Sequence, residues 1–167
     1  IAEVRKASAR AARALCGLGE TLFRGGRYSQ ASARFKAAAQ ADPDDLSAAV
    51  GVAKSSLELE RPEEARDMLV KLRKNYPKDM AVAYWYARVQ ESLGDRKEAE
   101  AAYRDAIANG KDSPDAVQAY IGLASVLSQN GQLDAANEAL SEAQKRLPAS
   151  PALHKALGRV AMTQGRY

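Results

Sequence analysis

Residues 12–45 read ARALCGLGETLFRGGRYSQASARFKAAAQADPDD, and residues 46–79 read LSAAVGVAKSSLELERPEEARDMLVKLRKNYPKD. Set one above the other without a gap, Ala31 falls over Ala65, Phe35 over Leu69, Ala38 over Leu72 and Pro43 over Pro77. Residues 117–150 return to the same columns with Ala136, Leu140, Ala143 and Pro148. Residues 80–116 do so with Ala99, Tyr103 and Ala106, run three residues longer, and carry no proline in the matching column. A fifth copy, residues 151–167, begins at Pro151 and covers half a period. Residues 1–11 either belong to a preceding helix or lengthen the first one, leading with Ile1 and Val4. Self-similarity at a fixed period of 34 residues marks stacked supersecondary units, none of which buries enough surface to fold alone.

Composition narrows the class. The 167 residues are 46% hydrophobic and 28% charged, with 11 Gly and 6 Pro, which suits a helical chain and excludes low complexity. No apolar run approaches the roughly 20 residues that a membrane-spanning helix needs, so no membrane insertion is expected. Arg5, Lys6, Arg10 and Arg13 near the start have no apolar stretch after them of the kind a signal peptide carries. With one cysteine, Cys16, no internal disulfide can form. That leaves a soluble protein of cytoplasm or periplasm, between which the sequence does not choose.

Each period reads as two amphipathic helices. Leu15, Leu18, Gly19 and Leu22 recur at three- and four-residue steps, and so do Ala31, Phe35 and Ala38. Gly25-Gly26, Gly94, Asn130-Gly131 and Gly165 stop the first helices, because a left-handed terminal residue costs glycine least. The second copy instead uses Arg61-Pro62-Glu63-Glu64, with proline in the first turn and acids toward the positive helix end. Ser113-Pro114-Asp115 and Ser150-Pro151 read as helix starts, Asp95 with Glu98 as a capping box, and Asn109-Gly110 as a stop before an insertion at 111–113. The expectation is nine complete helices and almost no strand. The last, residues 151–164, lacks a partner helix and leaves Leu157 and Ala161 uncovered, as in a piece of a longer repeat protein.

A helix–turn–helix of this length, with a small residue in mid first helix and Ala, large apolar, Ala in the second, resembles the tetratricopeptide repeat. Gly19, Ala53, Ala87, Ala124 and Gly158 fill the small column, preceded by Leu18, Val52, Tyr86, Leu123 and Leu157. Departures are modest. The family's early aromatic is Leu15, Ala49, Ala83, Tyr120 and His154 here, and its later one is Leu22, Ser56, Gln90, Leu127 and Ala161. Over residues 12–167 the resemblance implies an all-α, right-handed superhelical solenoid of antiparallel helix pairs. It also implies a non-catalytic interaction scaffold, in which first helices line a concave groove that holds a partner segment. Composition rich in Ala and Arg looks bacterial, and long bacterial members of the family organise envelope, secretion or motility assemblies.

The residues themselves offer little catalytic chemistry. His154 and Cys16 are the only residues of their types and lie far apart in sequence, which excludes a His/Cys zinc site and speaks against a Cys-His dyad. No metal or cofactor is implied. His154 sits in a packing column and reads as a partly buried helix residue, and Cys16 as a small core or groove-lining one. Glu58, Glu60, Glu63 and Glu64 cluster at a solvated turn where the helix dipole favours them. A net charge of +4 and a pI near 9.2 attract polyanions weakly, but the bases are spread rather than blocked. Arg66, Lys71, Arg73 and Lys74 on one second helix read as a solvated outer face instead of a phosphate track, which argues against nucleic acid as a partner.

Helix periodicity relative to the packing columns sets the groove-facing positions. They are Arg13, Cys16, Gly17, Glu20, Phe23 and Arg24, then Val50, Gly51, Lys54 and Leu57, then Tyr84, Trp85, Arg88 and Glu91. Ile121, Gly122 and Ser125 follow, and then Lys155, Arg159 and Met162. A helical glycine costs about 1 kcal/mol against alanine, so Gly17, Gly51 and Gly122 need either a close ligand backbone or dense packing as their reason. Tyr84 and Trp85 with Arg88 are the residue types that anchor interfaces. The groove should prefer a protein or peptide with apolar anchors and some acidic residues; self-association through the groove or the open repeat ends is the alternative. The family's two-carboxylate clamp needs Lys and Asn, then Asn, then Lys and Arg. Cys16, Glu20, Gly51, Ala81 and Trp85 do not supply it, nor, one repeat on, do Val50, Lys54, Trp85, Gln118 and Gly122.

Packing columns of small residues predict intolerance to bulk. Ala99→Leu should overpack the contact between the two helices of its repeat and lower stability by about 1–3 kcal/mol, read as a fall in the urea midpoint.

Overall fold

The computed structural model describes residues 2–110, 113, 116–148 and 150–163, with the side chain of Ala2 left aside. Nine helices run through these residues, and no strand occurs among them. They are α1 (Ala2–Arg24), α2 (Tyr28–Ala41), α3 (Leu46–Glu58), α4 (Pro62–Asn75), α5 (Met80–Ser92), α6 (Arg96–Gly110), α7 (Ala116–Gln129), α8 (Leu133–Arg146) and α9 (Pro151–Thr163). Residues 2–11 lengthen the first helix, so α1 has 23 residues where α3 and α5 have 13. The chain forms two compact units, Ile1–Leu72 and Arg73–Tyr167, and the division falls within α4. In the first unit α1 packs on α2 and α3, and α2 on α3. In the second, α5 packs on α6 and α7, α6 on α7, and α7 and α8 on α9.

The chain turns where its backbone chemistry allows. Gly26, Gly94 and Gly131 have φ of 72°, 82° and 78°. In the same column Glu60 takes φ 60°, a conformation that costs an L side chain roughly 1–2 kcal/mol. One hydrogen bond explains why it persists. The N–H groups of Arg27, Arg61, Asp95 and Gln132 donate to the carbonyls of Leu22, Ser56, Gln90 and Leu127 at 2.9–3.0 Å, so all four turns close the same way and satisfy otherwise orphaned carbonyls. Helix starts are capped by carboxylates. Asp45 Oδ1 accepts from the N–H groups of Ser47 and Ala48 at 2.9 and 3.3 Å, and Asp79 Oδ1 from that of Val82 at 2.9 Å. Asp95 Oδ1 accepts from the Glu98 N–H at 3.1 Å, the forward half of the expected capping box. The expected start at Pro114, the insertion at 111–112 and the stop at Gly165 lie outside the described residues.

The packing columns are the core. Ala31, Ala65, Ala99 and Ala136 are fully buried, and so are Phe35, Leu69, Tyr103 and Leu140. Large and small residues fit because glycine makes room. A Cβ on Gly19 would stand 2.7 Å from the Phe35 ring, and one on Gly51 would stand 2.3 Å from it. The ring of α2 is therefore wedged between α1 and α3 with no side chain on either flank. In the second unit Gly122 plays the same part for Tyr103, at 2.4 Å. Dense packing thus accounts for Gly51 and Gly122, whereas Gly17 faces open space. Helix α9 departs from expectation. Gly158 has nothing within 4 Å of its Cβ position, Leu157 and Ala161 are half-buried rather than uncovered, and His154 is exposed rather than partly buried. His154 lies outside the core because its ring faces polar atoms instead, Nδ1 2.9 Å from the Ser150 carbonyl and Nε2 3.0 Å from Gln144 Nε2.

Two alanine substitutions at the same repeat position should act with opposite sign. Gly51→Ala should lower stability by about 1–3 kcal/mol because its methyl meets a buried ring. Gly17→Ala should raise it by up to about 1 kcal/mol by restricting the unfolded helix segment. Urea melts of the two variants read the contrast directly.

Candidate functional site

First helices carry the residues that the repeat pattern aims at one face, and each unit presents its own part of that set. In the first unit the face is largely closed by its own side chains. Lys54 of α3 forms an ion pair with Glu20 of α1, and its Nζ lies 4.5 Å from the Phe23 ring centroid and 5.2 Å from that of Phe35. Its side chain is 8% exposed, so this cation is held by a carboxylate and two aromatic faces rather than offered to solvent. Cys16, Val50 and Leu57 are buried, Glu20 and Phe23 are half-buried, and Arg24 is exposed. Cys16 Sγ donates to Asp45 Oδ2 at 3.7 Å, the same carboxylate that caps α3. Burial above all, followed by the charge and hydrogen bond of Asp45, pushes the thiol from its ordinary 9.0 up to about 11. Such a thiol stays largely protonated at neutral pH, which leaves little thiolate for nucleophilic attack.

The second unit is different. Tyr84, Trp85 and Arg88 of α5 are half-buried and touch one another. The Tyr84 and Trp85 rings meet edge to face at 5.2 Å and 75°. Arg88 Nη1 donates to Tyr84 Oη at 3.3 Å, and its guanidinium carbon lies 5.4 Å from the Trp85 ring centroid. Behind them stands Tyr103 of α6, its ring 6.1 Å from that of Tyr84. Passing over Gly122, Tyr103 places its hydroxyl 2.7 Å from Glu91 Oε2, to which it donates. Burial, reinforced by Glu91, raises the Tyr103 pKa far above its ordinary value, so it remains a donor throughout the working pH range. Ser125 Oγ of α7 donates to the other Glu91 oxygen at 3.5 Å, Gln129 Nε2 donates to Ser125 Oγ at 3.3 Å, and Arg96 Nε donates to Gln129 Oε1 at 3.2 Å.

Beyond this polar chain, α7 and α9 leave a cavity of about 200 Å³ between them. Ile121, Ser125 and Gln129 form one wall, Arg159 and Thr163 the other, and Leu140 lies at its floor. That volume is below the range of small-molecule sites and matches a single side chain. Lys155 and Arg159 are exposed. The structure therefore brings Tyr84, Trp85 and Arg88 together on α5, and Ile121, Ser125 and Arg159 together around the cavity. Sequence reading took Tyr103 for a packing residue alone and did not include Gln129 or Thr163 among the groove-facing positions. Tyr103 could have been found from Gly122, since a glycine mid-helix admits a side chain from the neighbouring helix.

Other chemistry is sparse. Among the described residues no group of three His, Cys, Asp or Glu could hold a metal ion. No described helix is long and apolar enough to cross a membrane. Of the basic cluster on α4, Arg66 pairs with Asp67 at 3.1 Å. Arg73 pairs with Glu98 at 3.3 Å and with Asp105 at 2.8 Å, with the Tyr86 ring 4.4 Å from its guanidinium carbon.

Two family models match the sequence, both described as tetratricopeptide repeat, over residues 22–87 and 80–163. A comparison with curated proteins finds no match. Among solved structures, a thermophilic TPR protein of Thermus thermophilus superposes with a TM-score of 0.81 at 21% identity, covering 93% of this chain and 84% of that one. PilF of Pseudomonas aeruginosa gives 0.82 at 17% identity over 96% and 72% of the two chains. YrrB, described as a TPR protein with an unusual peptide-binding site, gives 0.62 at 18% identity over 91% and 77%. Identities this low speak for the fold alone.

The environment of Cys16 makes one reactivity prediction. At pH 7.5 iodoacetamide should alkylate the native thiol about a hundredfold more slowly than the urea-unfolded chain, because the thiolate fraction falls with the raised pKa. A group held protonated in the fold stabilises it below pH 9.0, and that contribution is lost between 9.0 and about 11.

Proposed function

Since the chain belongs to the tetratricopeptide-repeat family, whose fold serves as a protein-interaction scaffold, we propose that it binds a partner segment on the first-helix face of its second unit. The observation that carries this reading is the grouping of Tyr84, Trp85 and Arg88, half-buried and mutually oriented on α5. Rigid aromatics and arginine lose little freedom on binding and dominate interface energies. The cavity beside Ile121 and Ser125 accepts one apolar side chain of the partner, and Arg159 at its rim faces an acidic neighbour on the same segment. Glu91 does not oppose that acid strongly, since Tyr103 and Ser125 already donate to both of its oxygens. The scaffold is non-catalytic and draws its specificity from apolar anchors flanked by carboxylates. The bacterial sources of two of the similar structures support a bacterial assembly as its setting.

A pull-down compares the intact chain with a Tyr84→Ala/Trp85→Ala/Arg88→Ala variant of equal helicity by circular dichroism. A partner recovered by the intact chain should be lost by the variant, with affinity reduced at least a hundredfold for three interface anchors. Equal recovery by both would overturn the assignment to this face.

A further inference from the structure

The pair Asn-Gly occurs twice, at Asn109-Gly110 and Asn130-Gly131, and the fold sets the two in different surroundings. Asn109 and Gly110 are the last residues of α6, and a Cβ on Gly110 would run into Met80 Sδ, so the backbone there lies hard against α5. Asn130 follows α7 in the turn to α8, and both it and Gly131 are exposed. Its carboxamide is engaged by no described residue, and nothing lies within 4 Å of the Gly131 Cβ position. The repeat supplies a comparison within the molecule. The four equivalent turns carry Gly25-Gly26, Leu59-Glu60, Leu93-Gly94 and Asn130-Gly131, each with its second residue at positive φ and the same closing hydrogen bond. Leucine at 59 and 93 shows that the turn does not require an amide at this place.

What the amide adds is chemistry. A glycine nitrogen that follows an asparagine can attack its side-chain carbonyl carbon, because glycine puts no Cβ in the way. Hydroxide removes the Gly131 N–H proton, and the nitrogen bonds to Asn130 Cγ. The carboxamide nitrogen then leaves as ammonia after taking a proton from water. Water opens the resulting five-membered imide at either carbonyl. Opening at Cγ yields aspartate; opening at the main-chain carbonyl yields isoaspartate, whose main chain runs through Cβ and Cγ. Ring closure needs the asparagine to rotate about its Cα–C bond, away from helical ψ, and the glycine N–H to leave its acceptor. At Gly131 that acceptor is the Ser128 carbonyl, 3.0 Å away in an exposed turn, so a local opening releases it. At Gly110 the α6 helix and Met80 oppose the rotation.

We propose that Asn130-Gly131 is a site of self-modification, at which Asn130 converts to isoaspartate and aspartate and loosens the α7–α8 turn. Isoaspartate adds a carbon to the main chain inside the turn that the Gln132 N–H closes on the Leu127 carbonyl at 2.9 Å. Both products set a carboxylate at the C-terminal end of α7, where the helix dipole is negative. Gln129, the residue before, is the one that links Arg96 to Ser125. The inference concerns this turn and needs no partner at any surface.

The test holds the whole chain in mildly alkaline buffer, folded or in urea, and maps its peptides by mass spectrometry with isoaspartyl methyltransferase labelling. Each folded rate is divided by the rate in urea, which removes intrinsic differences between the two pairs. The normalised rate at Asn130 should exceed that at Asn109 at least about tenfold, the gap that protection by a packed helix opens. Equal normalised rates, or a faster Asn109, overturn the site. The isoaspartyl form, separated by ion exchange, should show faster amide hydrogen exchange at Gly131 and Gln132 than the parent chain, and unchanged exchange overturns the loosening. An Asn130→Ser variant keeps the turn and lacks the amide; it should show parental exchange and no methyltransferase label in this peptide, and label persisting there overturns the assignment to Asn130.

Discussion

An aromatic ring with no side chain on either flank is the contact on which the rest depends. Phe35 fills the space where three helices meet, and it can do so only because α1 and α3 present Gly19 and Gly51 to it. Helix axes pack at roughly 8–10 Å, and a ring inserted between two of them leaves no room for a methyl group. This fixes more than stability. A ring clamped between two glycines sets the separation of α1 and α3, and hence which residues of those helices can meet. Glu20 and Lys54 occupy the same repeat position, and the spacing imposed by Phe35 brings them into an ion pair whose cation rests on that same ring.

In the second unit the wedge is Tyr103, and its hydroxyl gives it a second part. The ring packs against Gly122 while the oxygen reaches Glu91, so one side chain belongs to the core at one end and to the first-helix face at the other. Glu91 in turn accepts from Ser125, and Ser125 from Gln129, so residues of α5, α6 and α7 are linked by hydrogen bonds that begin at a core residue. A polar network satisfied in this way, part-buried at Glu91 and Ser125, rigidifies its surroundings. Tyr84, Trp85 and Arg88 thus stand on a floor with little freedom to move. Preorganisation of that kind is what makes a binding face cheap to use.

Much of this was legible in the sequence, for a definite reason. The columns Ala31–Phe35–Ala38 and their successors follow from close packing, which constrains residue size at every repeat, so a single chain displays the constraint several times. Turns at Gly26, Gly94 and Gly131 were legible because the left-handed region is nearly exclusive to glycine. Glu60 was not, since nothing in a glutamate announces a positive φ; it is held there by a hydrogen bond across the turn. Gly51 and Gly122 announced a close approach without saying of what, and the neighbouring helix supplied the answer. Placement of Tyr84, Trp85 and Arg88 beside one another followed from helix periodicity. Burial of Lys54 did not, because its partners Glu20, Phe23 and Phe35 lie at distant positions that only the stacking brings together. His154 sits in a packing column, yet is exposed, because a column predicts burial only where neighbouring elements close over it.

Trp85 is the single tryptophan of the chain. It lies half-buried with Tyr84 edge-on and Arg88 above its ring. Light absorbed at the red edge of the protein spectrum is therefore emitted from one place, the middle of the α5 surface. The tyrosines nearest to it, Tyr84 and through it Tyr103, are close enough to pass their excitation to the indole. The molecule consequently carries its own optical probe within the Tyr84–Trp85–Arg88 grouping. A shift in emission on mixing would report a change around Tyr84 and Arg88 without any label.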